Sequence, residues 1–461
     1  MKFFKVWQCH FYLLLLHPTQ AMIWVKSHRN QDYCLPQIKI NQGIRPDNVT
    51  VINQAIEQKF GITVNILHYA YFHRNQTEKV MEGVYVLELD TFPENMNNGM
   101  WCDRITLNRI SFPNLEHKSL IQTYLMERQT GKIPELRPPW AQLGWYAQVS
   151  NWIKKELSRL GYEQIAPIEC VKSWCLSCIL KVPTTVGFLY FKQASTLPLF
   201  CHEPIITKEL ATFFPNYIPK VISINPEQHW LLLEDFGQPI GNQVSLKIKQ
   251  NIYGLLAKIQ IQSVKYCDRL LAMGCLDRRL QCLETQIEPL IENAATLTQL
   301  SAQEITQLHN LVPVLKNLCL QLDSYNIPST LVHGDLHLNN VAFNKGNYIF
   351  FDWTDSCISH PFFDLFELFF ISSSKFCLNQ FKTFWNHYYS IPRIRNSYLS
   401  QWLEYESKER LLEAWAIARP LCALHHAITY QYIINILEPK NKWEFSNVLP
   451  FFLRKIIQSA S

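Results

Sequence analysis

Apolar positions along the chain follow two rhythms. Residues 49–60 repeat them at helical spacing and stop at Gly61, a residue that commonly ends helices, so a helix is expected there. Ile62, Val64 and Ile66 then alternate with polar residues at the period of a half-buried strand. Residues 83–89, rich in β-branched and aromatic side chains, predict a second strand. Residues 127–140 hold Gly131, Pro134, Pro138 and Pro139 and read as a linker. Helical spacing returns at 145–160, with Trp145, Val149, Trp152 and Ile153 on one face, and again at 203–213. Strand-like runs occupy 164–193 and 219–235, notably 187–192 and 230–233. From Ser245 onward the pattern is one of long amphipathic helices, interrupted by a strand-rich island at 329–353.

The amino terminus has a faint signal-peptide outline, with Lys2 and Lys5 ahead of an apolar run at 11–16. Six residues fall short of the usual apolar region of about 7–15. The internal Met22 opens a more ordinary sequence, so residues 1–21 are expected to be a non-structural extension and Met22 the working start. No stretch reaches 18 consecutive apolar residues, the length that would suggest a membrane-spanning helix.

Composition narrows the class. The chain has 461 residues, 48% hydrophobic and 18% charged, the balance of a globular protein. A net charge of +5, from 43 basic and 38 acidic residues, argues for neither a nucleic acid nor a membrane partner. Fourteen scattered cysteines in so long a chain read as reduced thiols, and Cys175-Leu-Ser-Cys178 lacks the second ligand pair of a structural zinc site. Only 14 glycines are present, which disfavours a function built on a long glycine-rich loop.

The island carries the chemistry. It reads Leu331-Val332-His333-Gly334-Asp335-Leu336-His337-Leu338-Asn339-Asn340, then an apolar run ending in Asp352-Trp353. The spacing His-x-Asp-x-x-x-x-Asn is that of a kinase catalytic loop. Asn344-Lys345-Gly346-Asn347 is turn chemistry, so a hairpin would bring Asp352 back beside Asn340. Phosphoryl transfer needs Mg²⁺, which prefers hard oxygen ligands, and Asn340 with Asp352 supply an amide oxygen and a carboxylate. Asp335 is placed to accept or orient a substrate hydroxyl proton. His333 reads as a brace for the loop rather than a base.

Residues 333–365 resemble the aminoglycoside phosphotransferase and choline kinase superfamily, whose signature is H-G-D-x-x-x-x-N followed by a carboxylate before Trp. Ser359-His360-Pro361-Phe362-Phe363-Asp364-Leu365 resembles its next element, in which Asp364 would be a structural brace. Cys357 and Ser359 depart from the small or glycine residues common there. The resemblance extends over about residues 145–455 and implies an ATP-binding small lobe. In it Lys192 would contact the α and β phosphates, Glu203 would pair with that lysine, and Glu209 is the second choice. Residues 232–237 would be the hinge that meets adenine, with Glu234 and Phe236 in it. The phosphate-covering turn would lie at 172–177, with Ser177 a phosphate contact.

Residues 35–37 and 55–62 resemble a Nudix fold around its helix. Aligned on Gly61-Ile62, the positions of the metal-binding acids carry Gln54, Ala55, Gln58 and Lys59, so the expected domain is non-catalytic.

The acceptor is less legible. Residues 362–461 hold eight acidic and eleven basic side chains, which disfavours a polycationic substrate. Phe384, Trp385, Tyr388, Tyr389, Trp402 and Trp415 could cage a cation but fit an aromatic core better, and Arg419, His425 and His426 are candidates to face the cleft.

The expectation is therefore an α+β chain. A Nudix-like α/β domain (22–130) and a linker (131–144) precede a protein-kinase-like two-lobed fold, with a β-rich small lobe (145–237) and a helical large lobe (238–461). It would be a cytoplasmic phosphotransferase using ATP and Mg²⁺ on a small-molecule hydroxyl. A catalytically silent kinase-like binding protein is the alternative.

Overall fold

The computed structural model describes residues 6–28, 32–89, 98–200, 202–297, 299–370 and 381–460, with backbone only at 295–297 and 381–389. The chain divides into two compact units, Met1–Ser195 with Glu438–Asn441, and Thr196–Leu437 with Lys442–Ser461.

The first unit is built on a seven-stranded mixed sheet. Its strands are β1 (Gln8–Leu16), β2 (Ile23–Ser27), β3 (Tyr33–Cys34), β4 (Gln37–Ile40), β5 (Val64–Asn75), β6 (Val80–Leu89) and β7 (Gly99–Cys102). Helix α1 (Val49–Phe60) joins β4 to β5, and Gly61 closes it in the left-handed conformation, as the sequence predicts. Helices α2 (Arg104–Arg109) and α3 (Leu115–Thr130) follow β7.

The expected non-structural extension is instead the centre of this sheet. Strand β1 runs parallel to β6 over its whole length and antiparallel to β4 and β2. Leu14 and Leu16 pack into a core with Ile121, Tyr124 and Leu125 of α3. Alternation turns Phe11, Leu13 and Leu15 to the opposite face, and all five residues are buried. A strand covered on both faces needs an apolar residue at every position, so a core strand presents the same unbroken run as a short leader.

The segment read as a linker also belongs to the core of this unit. Helix α3 continues through Glu127, and buried Arg137 sits between two carboxylates, 3.1 Å from Glu127 Oε1 and 3.1 Å from Glu438 Oε1. Lys440, from the same short segment as Glu438, lies 2.9 Å from His68 Nε2 and 3.2 Å from the Tyr124 hydroxyl. Burial lowers the Lys440 ammonium to about 8, and burial with that neighbouring cation holds His68 neutral. Removing one partner of a buried ion pair leaves charge uncompensated. Glu438→Ala is therefore expected to cost about 3 kcal/mol, read as a lower urea midpoint for the first unit. An unchanged midpoint would show that Glu127 alone suffices for Arg137.

Helix α4 (Trp145–Leu160) has the bounds its periodicity predicts, and its Trp145 indole donates to Gln193 Oε1. Strands β8 (Glu169–Ser173), β9 (Cys178–Thr184) and β10 (Gly187–Gln193) form an antiparallel meander. The Ser173 N–H donates to Asp47 O and its hydroxyl to Leu67 O, which fastens β8 to the amino-terminal sheet region. The compact first unit accordingly runs on through these strands to Ser195. Among the described residues the cysteines are thiols, Cys170 and Cys178 with sulfurs 3.8 Å apart among them.

The second unit opens with α5 (Glu203–Phe213) and the hairpin β11 (Val221–Asn225) and β12 (Trp230–Glu234). Helices α6 (Leu246–Ser263) and α7 (Cys267–Ala272), strand β13 (Leu276–Asp277) and helices α8 (Leu280–Thr285), α9 (Ile287–Leu297) and α10 (Ala302–Asp323) follow. The island then supplies β14 (Thr330–Val332), the hairpin β15 (Val341–Asn344) and β16 (Asn347–Phe350), and β17 (Cys357–Ser359). Strand β17 lies between β13, its parallel neighbour, and β14, its antiparallel one. Helices α11 (Phe366–Phe370), α12 (Phe381–Leu399), α13 (Lys408–Ile436) and α14 (Val448–Ala460) complete the unit. Among the described residues no helix is long and apolar enough to cross a membrane.

Candidate active site

The site grows out of the loop between β14 and β15. Gly334 there has φ +83°, and a Cβ at this position would lie 2.2 Å from the Asp355 carbonyl oxygen. Only glycine permits that approach, which lets the loop pass close to the turn following β16. Asp364 fixes the loop from the other side. Its Oδ2 accepts from His333 N–H (3.0 Å) and Gln260 Nε2 (2.9 Å), and its Oδ1 from Gly334 N–H (2.9 Å). Gln260 is set in turn by Tyr398, whose hydroxyl donates to Gln260 Oε1 at 2.6 Å. Burial pushes the Asp364 carboxyl up to about 7, while these three donors pull the other way. The brace expected of Asp364 is thus present, in a 3₁₀ turn at Pro361–Leu365.

His333 is buried and its Nε2 lies 2.9 Å from Phe351 O. A carbonyl can only accept, so Nε2 carries the proton and the ring holds the end of the hairpin. The same ring packs on Trp353, with centroids 4.6 Å apart. Phe351 N–H donates to Asn340 O at 3.0 Å, so the hairpin does return Asp352 to the neighbourhood of Asn340.

Asn340 Nδ2 donates to the Asp335 carbonyl at 2.9 Å. That assigns the amide its orientation and leaves Oδ1 as the oxygen to offer a cation. Asp352 adopts φ +66°, ψ 62°, an uncommon conformation for a residue with a side chain, of the kind that clusters at functional sites. Its Oδ1 lies 2.7 Å from the Thr354 hydroxyl, which is also 3.0 Å from Glu203 Oε2. Asp335 is half-exposed, its Oδ2 3.7 Å from His337 Nε2, longer than a hydrogen bond. Among the described residues no group of three or more His, Cys, Asp or Glu could hold a metal ion. One carboxylate with one amide oxygen suits Mg²⁺, which commonly takes its remaining ligands from water and substrate phosphates.

The second unit therefore brings Asp335, Asn340, Asp352 and, through Thr354, Glu203 into one constellation. Glu203 is buried at the head of α5. Glu209, the second choice for its place, is instead paired with Arg269 at 2.6 Å. Phe236 packs on Phe351 with centroids 4.7 Å apart, which ties residues 234–236 to the end of the hairpin. Glu234 is turned to Lys220, 2.9 Å away on the surface, so its side chain is held outward and only its backbone suits a hinge contact.

Lys192 and Ser177 belong to the first unit. Lys192 is buried on β10. Ser177 is buried in the turn between β8 and β9, and its oxygen accepts from the Trp174 indole at 2.8 Å, so the hydroxyl is already engaged in shaping that turn.

The candidates for the acceptor region divide differently. Trp402 is fully buried against Phe362 and Tyr398, as an aromatic core requires, and Trp415 packs at a tilt against Phe369, centroids 4.5 Å apart. The side chains of Phe384, Trp385, Tyr388 and Tyr389 lie outside the described residues. His425 and His426 are buried and held neutral by desolvation, His426 lowered to about 3, so they are core groups rather than cleft groups. Arg419 lies over the Phe370 ring.

Sequence reasoning missed Thr354 and the dependence of Gly334 on Asp355. A hydroxyl two residues after the second carboxylate was the available signal for the first. The second depends on a contact across 21 positions that spacing alone does not reveal.

None of the curated proteins matches the chain. Among solved structures it is similar to a choline kinase from Cryptosporidium parvum Iowa II, at 14% identity and TM-score 0.47 over 67% of this chain and 95% of that one. It is also similar to a Plasmodium vivax ethanolamine kinase, at 12% identity and TM-score 0.45 over 74% and 88%. A third likeness is to a macrolide 2'-phosphotransferase from Brachybacterium faecium, at 11% identity and TM-score 0.44 over 65% and 97%. Residues 256–396, the stretch that holds Asp335, Asn340, Asp352 and Asp364, match the model of the phosphotransferase enzyme family.

Proposed function

We propose that the chain transfers the γ-phosphate of ATP to a hydroxyl of a small molecule. The observation that carries this reading is the joining of Asp335, Asn340 and Asp352 on one loop and hairpin, held by the Asp364 brace. Asp335 is the residue to orient the acceptor hydroxyl and take its proton as phosphorus is attacked. Asn340 Oδ1 and the Asp352 carboxylate are the hard oxygens that would hold Mg²⁺, which when bound neutralises charge on the phosphate oxygens. Lys192 would contact the α and β phosphates and Glu203 would orient it, in a protein-kinase-like arrangement of small and large lobes. The backbone at Glu234 and the Phe236 ring would meet adenine, and the turn carrying Ser177 would cover the phosphates. The match over residues 256–396 supports the same reading.

The amino-terminal domain is proposed to be Nudix-like and non-catalytic. Where the resemblance calls for an acid, Lys59 donates to Gln37 O at 2.8 Å, so a cation stands where a metal would need a carboxylate. The free thiols accord with a reducing, cytoplasmic setting.

The test is a metabolite pool incubated with γ-labelled ATP and Mg²⁺, comparing wild type with Asp335→Ala. A compound is expected to gain label with wild type and at least about 100-fold more slowly with the variant, the scale of general-base loss. If no compound gains label only with wild type, the phosphotransfer reading fails.

A further inference from the structure

The Thr354 hydroxyl sits between two carboxylates, 2.7 Å from Asp352 Oδ1 and 3.0 Å from Glu203 Oε2. A hydroxyl has one proton to donate. With both acids ionised, one contact is the donated bond and the other awaits the same proton, and the shorter distance favours Asp352. Thr354 belongs to a short 3₁₀ turn, Trp353–Asp355. Trp353 anchors that turn, buried against His333 and donating its indole N–H to Phe350 O at 2.9 Å. The hydroxyl is therefore a rotor on a fixed mount, with acceptors from two different elements.

We propose that Thr354 is a positioning residue that couples divalent-cation binding at Asp352 to Glu203 at the head of α5. Its hydroxyl sets the orientation of the Asp352 carboxylate. Lowering the negative charge at Asp352 makes Glu203 the stronger acceptor, and the proton turns to it. The bond that held Asp352 then holds the head of α5. No proton leaves the cluster, since the O–H stays intact and only its acceptor changes. Residues that orient a metal's ligands typically influence metal affinity by about 10- to 100-fold. The inference rests on the phosphotransfer reading for the identity of the metal site.

The test measures Mn²⁺ binding by electron paramagnetic resonance in the presence of a non-hydrolysable ATP analogue, with metal-free affinity for the analogue measured separately. Thr354→Val is expected to weaken Mn²⁺ about tenfold and leave the metal-free affinity unchanged. Thr354→Ser is expected to restore Mn²⁺ binding to within about twofold, a rescue that mere packing at this position would not give. Glu203→Gln should weaken Mn²⁺ too, and the double variant should be no weaker than the worse single one, since both act through one proton. Unchanged Mn²⁺ affinity in Thr354→Val, failure of the serine rescue, or additive losses in the double variant would each overturn the coupling. If Thr354→Val does not fold, Glu203→Gln decides alone, and wild-type Mn²⁺ affinity in it would overturn the coupling. If wild type itself takes up no metal with the analogue, the phosphotransfer reading falls first and the inference with it.

Discussion

A chain begun at Met22 is expected to lose cooperative unfolding of its amino-terminal unit altogether. Such a chain lacks β1, which supplies the pairing edges for β2, β4 and β6. It also lacks five buried apolar side chains, Phe11 and Leu13 to Leu16. Each is worth about 1.5–3 kcal/mol of burial, so the deletion removes on the order of 10 kcal/mol. Domains are stable by only about 5–15 kcal/mol, so the loss is comparable with the whole. Backbone groups of three strands would be left without partners as well. Circular dichroism and limited proteolysis of the two chains compare them directly. A shortened chain with the same melting transition and protease resistance would show that β1 is dispensable.

The largest single-residue effect within the site is expected at Asp364. Asp364→Ala leaves the N–H groups of His333 and Gly334 buried without the acceptor that holds them, and Gln260 Nε2 keeps only its bond to Pro361 O. Unsatisfied buried donors cost about 1–3 kcal/mol each, so a loss of about 3–5 kcal/mol follows. Its pH dependence has a definite sign. The folded carboxyl holds its proton up to about 7, whereas the unfolded one releases it near the ordinary value of 3.8. Between those values the folded state carries the extra proton, so raising the pH withdraws stability, and the loss is complete above about pH 7. At about 1.4 kcal/mol per pH unit the window spans on the order of 4 kcal/mol. Asp364→Asn has no such titration, so the margin of wild type over this variant should narrow from pH 5 to pH 8. Urea midpoints of both proteins at the two pH values measure it. Parallel stabilities would show that Asp364 stays ionised throughout.

Much of the chain from Trp145 onward could be read from spacing because its signals are local. The bounds of α4 and α5, the turn at 344–347 and the loop from His333 to Asn340 all depend on residues close in sequence. The rest depends on what comes from far away. The run at 11–16 looks the same whether water, a membrane or two layers of protein surround it, and the α3 side chains that cover one face lie over 100 positions later. The proline-rich segment at 131–144 signals a loop correctly, but its burial follows from Arg137 finding Glu438, 301 residues on. Spacing could place Ser177 in the turn but could not show that its oxygen accepts from the Trp174 indole. Thr354 carries only the weak signal of a hydroxyl two residues after Asp352, and its importance comes from two carboxylates converging on it.

The segment Glu438–Asn441 gives the two units an unusual relation in the chain. The polypeptide completes the first unit only after nearly all of the second has been made, then returns to finish the second. On the ribosome, Arg137 must wait for some 300 residues before Glu438 arrives. An amino-terminal unit cut out as residues 1–195 therefore lacks one of the two carboxylates that hold Arg137. A single crossover after Ser195 would separate the first unit from its Glu438–Asn441 segment, so only a rearrangement that carries both units together keeps each complete.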